Sequence, residues 1–231
     1  FDTMVDRLDA IERERAVMLS SISHDLRTPL AALRASVEAI RDGVAPDPDA
    51  YLSGMERQIR ALASLVDDLQ LHSRIVSGTF DMTRARLDLT ELADEAMETL
   101  RPLAETRHIA LLLEADQRVS VEADGSQLAR VIRNLLENAI RHAPESSVVL
   151  VQVAASAHAA TLRVVDQGEG FPADFRDRAF EPFTRADPAR DLRTGTAGLG
   201  LSIARGIITA HGGTIGVADG PGGIVEIALP V

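Results

Sequence analysis

His24 falls two residues after Ile22 and two before Leu26 in a run whose apolar residues recur every three or four positions. At about 100° per residue this turns it roughly 200° from the apolar stripe, toward solvent. A neutral imidazole, with an ordinary pKa near ~6.5, has a ring nitrogen that can attack phosphorus when a neighbour accepts the hydrogen of the other nitrogen. Asp25 is the adjacent candidate. Pro29 sits inside the same helical pattern, where it removes one backbone hydrogen bond and should kink or loosen the helix just past the histidine. Taken alone, an exposed histidine on a helix reads first as a solvated surface residue.

A second group is amide-based. Asn134 and Asn138 are spaced i, i+4 and project from one helix face, beside Arg141 and roughly above His142. Neutral amide oxygens can ligate a hard cation such as magnesium while phosphates supply the charge. Two asparagines at this spacing also read as satisfied polar residues on a half-buried helix. Two glycine clusters complete the inventory. Asp166-Gln167-Gly168-Glu169-Gly170-Phe171 follows the strand-like run Leu162 to Val165. A carboxylate at a strand end followed by two glycines lets backbone approach a planar ligand, with the carboxylate accepting a hydrogen bond from an amino group, although a plain glycine-rich turn has the same form. Gly195-Thr196-Ala197-Gly198-Leu199-Gly200-Leu201 opens a helix, where exposed amides and the positive dipole end suit a phosphate. Its glycines do not fit G-x-G-x-x-G, so a dinucleotide fold is not indicated. Thr184 to Thr194 is polar, Pro-containing and aperiodic, which suits a lid over a ligand.

Helices and strands must position these groups. Leu19, Ile22, Leu26, Leu30, Leu33, Val37 and Ile40 form one helical stripe within Asp6 to about Arg41. Breakers and cap formers cluster from Asp42 to Asp49, and Leu52, Met55, Ile59, Leu62, Val66 and Leu69 then resume the period. The expected result is a helical hairpin. Two such helices lack facing partners for both stripes, so dimerisation into a four-helix bundle is expected, with a monomeric hairpin docked on a second domain as the alternative. After Ser77-Gly78, short strand-like runs (Thr83 to Leu87, Ile109 to Leu113, Val148 to Ala154, Thr161 to Val165) alternate with helical ones (Thr90 to Arg107, Ser126 to His142, Leu199 to His211). Glycines then bound a closing hairpin, and the whole region reads as an α+β layered domain.

Composition narrows the chemistry further. The 231 residues carry 24 basic and 35 acidic side chains, a formal charge of -11 that argues against nucleic acid or an anionic membrane surface as the main partner. There is no cysteine, so disulfide, zinc-thiolate and thiol chemistry are excluded. All 24 basic residues are arginine. Walker-A NTPases and eukaryotic-type protein kinases place a lysine on the ATP phosphates, so neither class describes this chain. No apolar run approaches the roughly 18 residues needed to span a bilayer, no signal-peptide pattern is present, and the opening at Phe1 suggests a fragment. His72, His108, His158 and His211 show no metal spacing and are expected to be structural.

The string Ser23-His24-Asp25-Leu26-Arg27-Thr28-Pro29-Leu30 resembles the H-box of bacterial sensor histidine kinases of two-component systems. That resemblance implies autophosphorylation of His24, assistance from Asp25, and a water-positioning role for Thr28 in dephosphorylating the partner. Asn134-Leu135-Leu136-Glu137-Asn138-Ala139-Ile140-Arg141-His142 resembles the N-box. By that match Asn138 holds magnesium, Asn134 supports the phosphates, and Arg141 and His142 contact phosphates or ribose. Asp166 with Gly168 and Gly170 resembles the G1 box, which implies that Asp166 reads the adenine amino group and selects ATP over GTP. Gly195 to Leu201 is similar to the G2 box, with nucleotide contacts implied at Gly198, Leu199 and Gly200; Ala197 stands where Ser or Thr is usual and Thr196 where Gly is common. Phe180 and Phe183 match the F-box, and Arg185 matches a residue that reaches the terminal phosphate.

All five boxes occur in family order over nearly the whole chain. The implied architecture is a HisKA-type hairpin forming a dimeric four-helix bundle over residues 1–80, followed over 81–231 by an α/β-sandwich of Bergerat (GHKL) type that binds ATP and Mg2+. Phe1 to Ile11 resembles the end of a HAMP signalling helix, which implies the cytoplasmic portion of a membrane-anchored sensor, with membrane contact only through missing N-terminal segments. The implied partners are a second copy of the chain and a cognate response regulator, whose aspartate would receive the phosphoryl group and toward which phosphatase activity is also expected; nucleic acid is not. Two other classes share parts of this pattern. ATPases of the related topoisomerase and chaperone class use a glutamate four residues before the metal-binding Asn, where this chain has Asn134, and Glu137, one residue from Asn138, is expected to point elsewhere. A dimerising scaffold with a decayed nucleotide site is the second.

Overall fold

A computed structural model describes residues 22–23, 26–115, 117–184 and 198–231. The HAMP-like opening, His24, Asp25 and the lid segment with Arg185 lie outside the described residues. Helix α1 (26–41) ends at Gly43, whose φ of 69° is left-handed, with the Val44 N–H donating to the Ala39 carbonyl at 3.1 Å. Glycine enters that region without a Cβ penalty, so the chain turns sharply here. Helix α2 (Pro48–Val76) starts on an Asp47 cap that accepts from the N–H groups of Asp49 and Ala50 at 3.1 and 3.2 Å, with Pro48 in the first turn. The result is the helical hairpin expected from the two stripes.

The hairpin keeps one apolar seam uncovered. Leu30 and Val37 on α1, and Leu52, Ile59 and Val66 on α2, repeat every seven residues and stay 43–55% exposed. The opposite side of α2 is covered, because Leu65, Leu71 and His72 are buried against the following domain and Ile75 packs on Gly206. At about 100° per residue the two sets lie roughly 180° apart on α2. Docking of the hairpin and an open seam therefore coexist.

The second unit is a five-stranded sheet in the order β2-β4-β5-β7-β6: β2 (Ala110–Ala115), β4 (Val148–Ala155), β5 (Ala159–Val165), β7 (Ile224–Pro230) and β6 (Thr214–Val217). Only β2 and β4 pair in parallel; the other pairings are antiparallel. A small antiparallel pair, β1 (Ala85–Asp88) with β3 (Ser120–Ala123), sits beside it. One face of the large sheet is apolar at alternate positions, as in Val149, Val151 and Val153 or Val225, Ile227 and Leu229. Helices α3 (Leu89–Glu105), α4 (Gly125–His142) and α5 (Gly200–Ala210) cover this face. Along α4 the buried positions Leu128, Val131, Ile132, Leu135, Leu136, Ala139 and Ile140 follow the i, i+3, i+4 rule, so the opposite face carries the polar residues of interest.

Strand β3 and a 3-10 turn at Arg176–Arg178 were not expected from the sequence pattern. Both are too short to establish a period. The junction of the domain is tied at Asp124, which caps α4 by accepting from Ser126 and Gln127 N–H at 3.1 Å and also accepts from Thr83 N–H at 2.9 Å. Asp124 N–H in turn donates to Nε2 of His211, whose Nδ1 donates to the Ile207 carbonyl at 2.8 Å. His211, 1% exposed at the end of α5, is thus a structural bridge between two helices.

Candidate nucleotide-binding site

A large cavity of about 1050 Å³ opens between the polar face of α4, the 166–172 turn after β5, and the first turn of α5. It lies at the upper end of the ~300–1,000 Å³ usual for ligand pockets. Asn134, Asn138, Arg141, His142, Asp166, Gly168, Gly170, Gly198, Leu199 and Gly200 all line it. Phe183 does not; it packs behind, against the core. Thr28 is exposed on α1, away from the cavity.

Asp166 has the most specific environment. Its side chain is 5% exposed, and Oδ1 accepts from Gly168 N–H at 2.7 Å and Gly223 N–H at 3.2 Å. Oδ2 has no donor among the described residues. Burial pushes this carboxyl above the usual range, against the pull of the two backbone N–H groups and His142. The result is a buried acceptor with one oxygen left for a ligand, which fits an exocyclic amino group. Glycines make room for it. A Cβ on Gly168 would stand 2.6 Å from the His142 carbonyl, and one on Gly222 or Gly223 would overlap Asp166 itself.

On α4, Asn134 Nδ2 donates to the Gly200 carbonyl at 3.1 Å, joining α4 to the start of α5 and leaving its oxygen to other partners. Asn138, one turn on, is half-buried on the cavity wall. Among the described residues no group of three His, Cys, Asp or Glu could hold a metal. A magnesium ion here would depend on an amide such as Asn138 and on oxygens brought by a phosphate ligand, a coordination suited to that ion. Glu137 departs from the sequence expectation: it lines the cavity, where burial raises its carboxyl despite Arg133 and Arg141, with Asp68 of α2 adding to the rise. The cavity arc of α4 is wider than one row of side chains, because α2 flanks it.

The α5 end meets the requirements for an anion. Leu199, its N-cap, is apolar and buried and offers no side-chain acceptor to the first-turn N–H groups. The described residues on either side of segment 185–197 are held together, since Phe183 N–H donates to the Gly198 carbonyl at 3.0 Å and a Cβ on Gly198 would lie 3.1 Å from the Thr184 carbonyl. Sequence reasoning missed other wall residues: Leu65 and Asp68 on α2, Arg107, Arg130 and Phe175. Arg130 and Asp68 form an ion pair between α4 and α2, and Phe175 stacks on Phe171 with ring centroids 6.5 Å apart. The i, i+4 spacing of the two phenylalanines was a readable signal; the ion pair, between residues 62 positions apart, had none.

Comparison with known proteins defines the class. Residues 14–78 match the model of the His Kinase A (phospho-acceptor) domain, and residues 123–231 match that of the histidine kinase-, DNA gyrase B- and HSP90-like ATPase. The mycobacterial sensor histidine kinase MprB is 30% identical over 64% of this chain and 97% of its own, with a TM-score of 0.56. The chain belongs to the histidine kinase family. Sensor protein IrlS of Burkholderia pseudomallei is 33% identical over 96% of this chain and 48% of its own length, and the histidine-protein kinase BaeS of Escherichia coli is 31% identical over 99% and 49%. The chain thus spans about half the length of these curated relatives. The fold is also that of ThkA, solved in complex with response regulator protein TrrA, at 21% identity over all of this chain and 67% of that one, with a TM-score of 0.71.

Proposed function

We propose that this chain is the kinase core of a two-component sensor, which phosphorylates His24 from ATP and passes the phosphoryl group to an aspartate of a response regulator. The observation that carries the reading is the convergence of Asn134, Asn138, Asp166 and the uncapped start of α5 on one cavity, in a chain that also matches a phospho-acceptor domain. Asp166 Oδ2 accepts from the adenine amino group, with Gly168 and Gly170 giving the base room. Asn134, Arg141 and His142 contact phosphates or ribose, the N–H groups of Gly198, Leu199 and Gly200 at the start of α5 bind the phosphates, and Arg185 has the role of reaching the terminal phosphate; Phe183 anchors the lid. Asn138 holds magnesium, which when bound neutralises phosphate charge.

In the transfer, a ring nitrogen of His24 forms the new bond to phosphorus as the bond to the ADP oxygen breaks, and Asp25 takes the hydrogen of the other ring nitrogen. Positioning and charge neutralisation carry most of such a reaction. Thr28 orients water when the regulator is dephosphorylated. Division near residue 80 is supported by Gly78, at φ 69°, and by tethering of the chain from Thr83 onward to Asp124. The exposed heptad seam of Leu30, Val37, Leu52, Ile59 and Val66 is the surface a second copy covers to complete a four-helix bundle. No helix among the described residues is long and apolar enough to cross a membrane. The intact protein, on this reading, is a membrane sensor with this portion in the cytoplasm.

The test is autophosphorylation with radiolabelled ATP and magnesium, using wild type beside His24→Gln and Asn138→Ala. Wild type should gain acid-labile, base-stable phosphate that maps to His24, and neither variant should. Phosphate at another side chain, or rapid multiple-turnover hydrolysis by His24→Ala, would refute the reading. Light scattering of the same samples reports whether a dimer forms.

A further inference from the structure

Helix α4 ends on the cavity wall, with Arg141, His142 and Ala143 among the lining residues. The last carbonyls of a helix lack partners and carry roughly half a negative charge. A nucleotide triphosphate is a polyanion, so an open helix C-terminus would repel it. Three of these carbonyls are taken by one side chain. Arg107 Nη1 donates to the carbonyls of Ile140 and Arg141, the latter at 2.7 Å, and Nη2 donates to that of Ala143 at 3.0 Å.

Its anchorage is firm. Arg107 follows α3 in a turn closed by Ile109 N–H donating to the Ala104 carbonyl at 3.0 Å, with Ile109 buried and His108 held at φ 55°. The Arg107 carbonyl also accepts from Ser146 N–H at 3.2 Å, stitching the turn to the segment after α4. Among the ion pairs of the described residues none includes Arg107, and its guanidinium donates to the helix-end carbonyls. Arg107 is itself one of the residues lining the cavity.

We propose that Arg107 is a positioning and specificity residue for the nucleotide: it neutralises the carbonyl end of α4 on the cavity wall and, by holding the carbonyls of Ile140, Arg141 and Ala143, fixes the backbone around His142, whose own carbonyl Gly168 packs against. The proposal rests on reading the cavity as an ATP site. It makes a demand that a purely structural arginine does not, because the loss on removing its charge must grow with the charge of the ligand.

The experiment measures dissociation constants of adenosine, ADP and ATP, by calorimetry with competition for the weak ligands, on the whole chain as wild type, Arg107→Gln and Arg107→Lys. Arg107→Gln should weaken ATP by about tenfold, ADP by less and adenosine least. Arg107→Lys keeps the charge but loses the fork, so it should lower all three affinities while preserving the wild-type ratio of ATP to adenosine. An equal loss for all three ligands in Arg107→Gln, or no loss, overturns the proposal. If thermal unfolding shows Arg107→Gln to be unfolded, Arg107→Met is measured in its place with the same two outcomes, and a collapsed ATP-to-adenosine ratio in Arg107→Lys overturns the proposal in either case. Failure of wild type to bind any of the three would instead count against the ATP site.

Discussion

Replacing Asp166 by Asn exchanges one carboxylate oxygen for an amide nitrogen at nearly constant size. Oδ1, with its donors Gly168 N–H at 2.7 Å and Gly223 N–H at 3.2 Å, survives as the amide oxygen. The change falls on Oδ2, where an acceptor becomes a donor facing the cavity. An adenine amino group there loses a hydrogen bond to a charged partner, worth ~1.5–3 kcal/mol, or about 10- to 150-fold in Kd. Guanine offers an acceptor at the equivalent edge, so the ATP to GTP preference should fall by at least as much. Stability moves the other way. Burial, opposed by the Gly168 and Gly223 N–H groups and by His142, holds the folded carboxyl above the ordinary 3.8. The folded state therefore takes up this proton before the unfolded chain does, so stability declines as pH rises from 3.8 through the raised value and stays lower at neutral pH. Asparagine has no such ionisation, and the variant should melt at or above the wild-type temperature at pH 7 with a flatter acid-side profile. Calorimetric titration with ATP and GTP and thermal unfolding across pH are the assays. A natively stable variant with unchanged ATP affinity and unchanged nucleotide preference would refute the reasoning.

Other variants probe the remaining groups. Asn138→Ala should abolish autophosphorylation while leaving the melting temperature within about 1 °C, and excess chelator should do the same to wild type in a labelling assay, with recovery on added magnesium. His211→Ala orphans the buried Asp124 N–H at a cost of ~1–3 kcal/mol, which at this chain length lowers Tm by about 2–4 °C per kcal/mol; differential scanning calorimetry checks it. Gly206→Ala places a Cβ only 2.6 Å from Ile75 Cγ2, so it should weaken docking of α2 on α5 and expose the interface to limited proteolysis. Adding Ile75→Ala should relieve the clash, and a double variant no better docked than Gly206→Ala alone would sink that account.

The elements themselves were legible from residue order, because the rules that write them are local. Asp47 before Pro48 marks the start of α2, the three- and four-residue apolar steps mark α4, and Asp166 followed by Gly168 marks an acidic turn after a strand. Each depends on neighbours within a few positions. Strand β3 escaped because four residues do not make a period. What only the tertiary structure decided is which distant pieces meet: β7 inserted between β5 and β6, Gly223 brought to Asp166, Asp68 to Arg130, Arg107 to the end of α4, and His211 to Asp124. The bonds that the side chains of Arg107 and His211 make to the two ends of α4 join residues 33 to 87 positions apart. Local propensity holds no term for such meetings; they follow from packing helices and a twisted sheet around one core, which sets the partner of each polar group only after the chain has closed on itself.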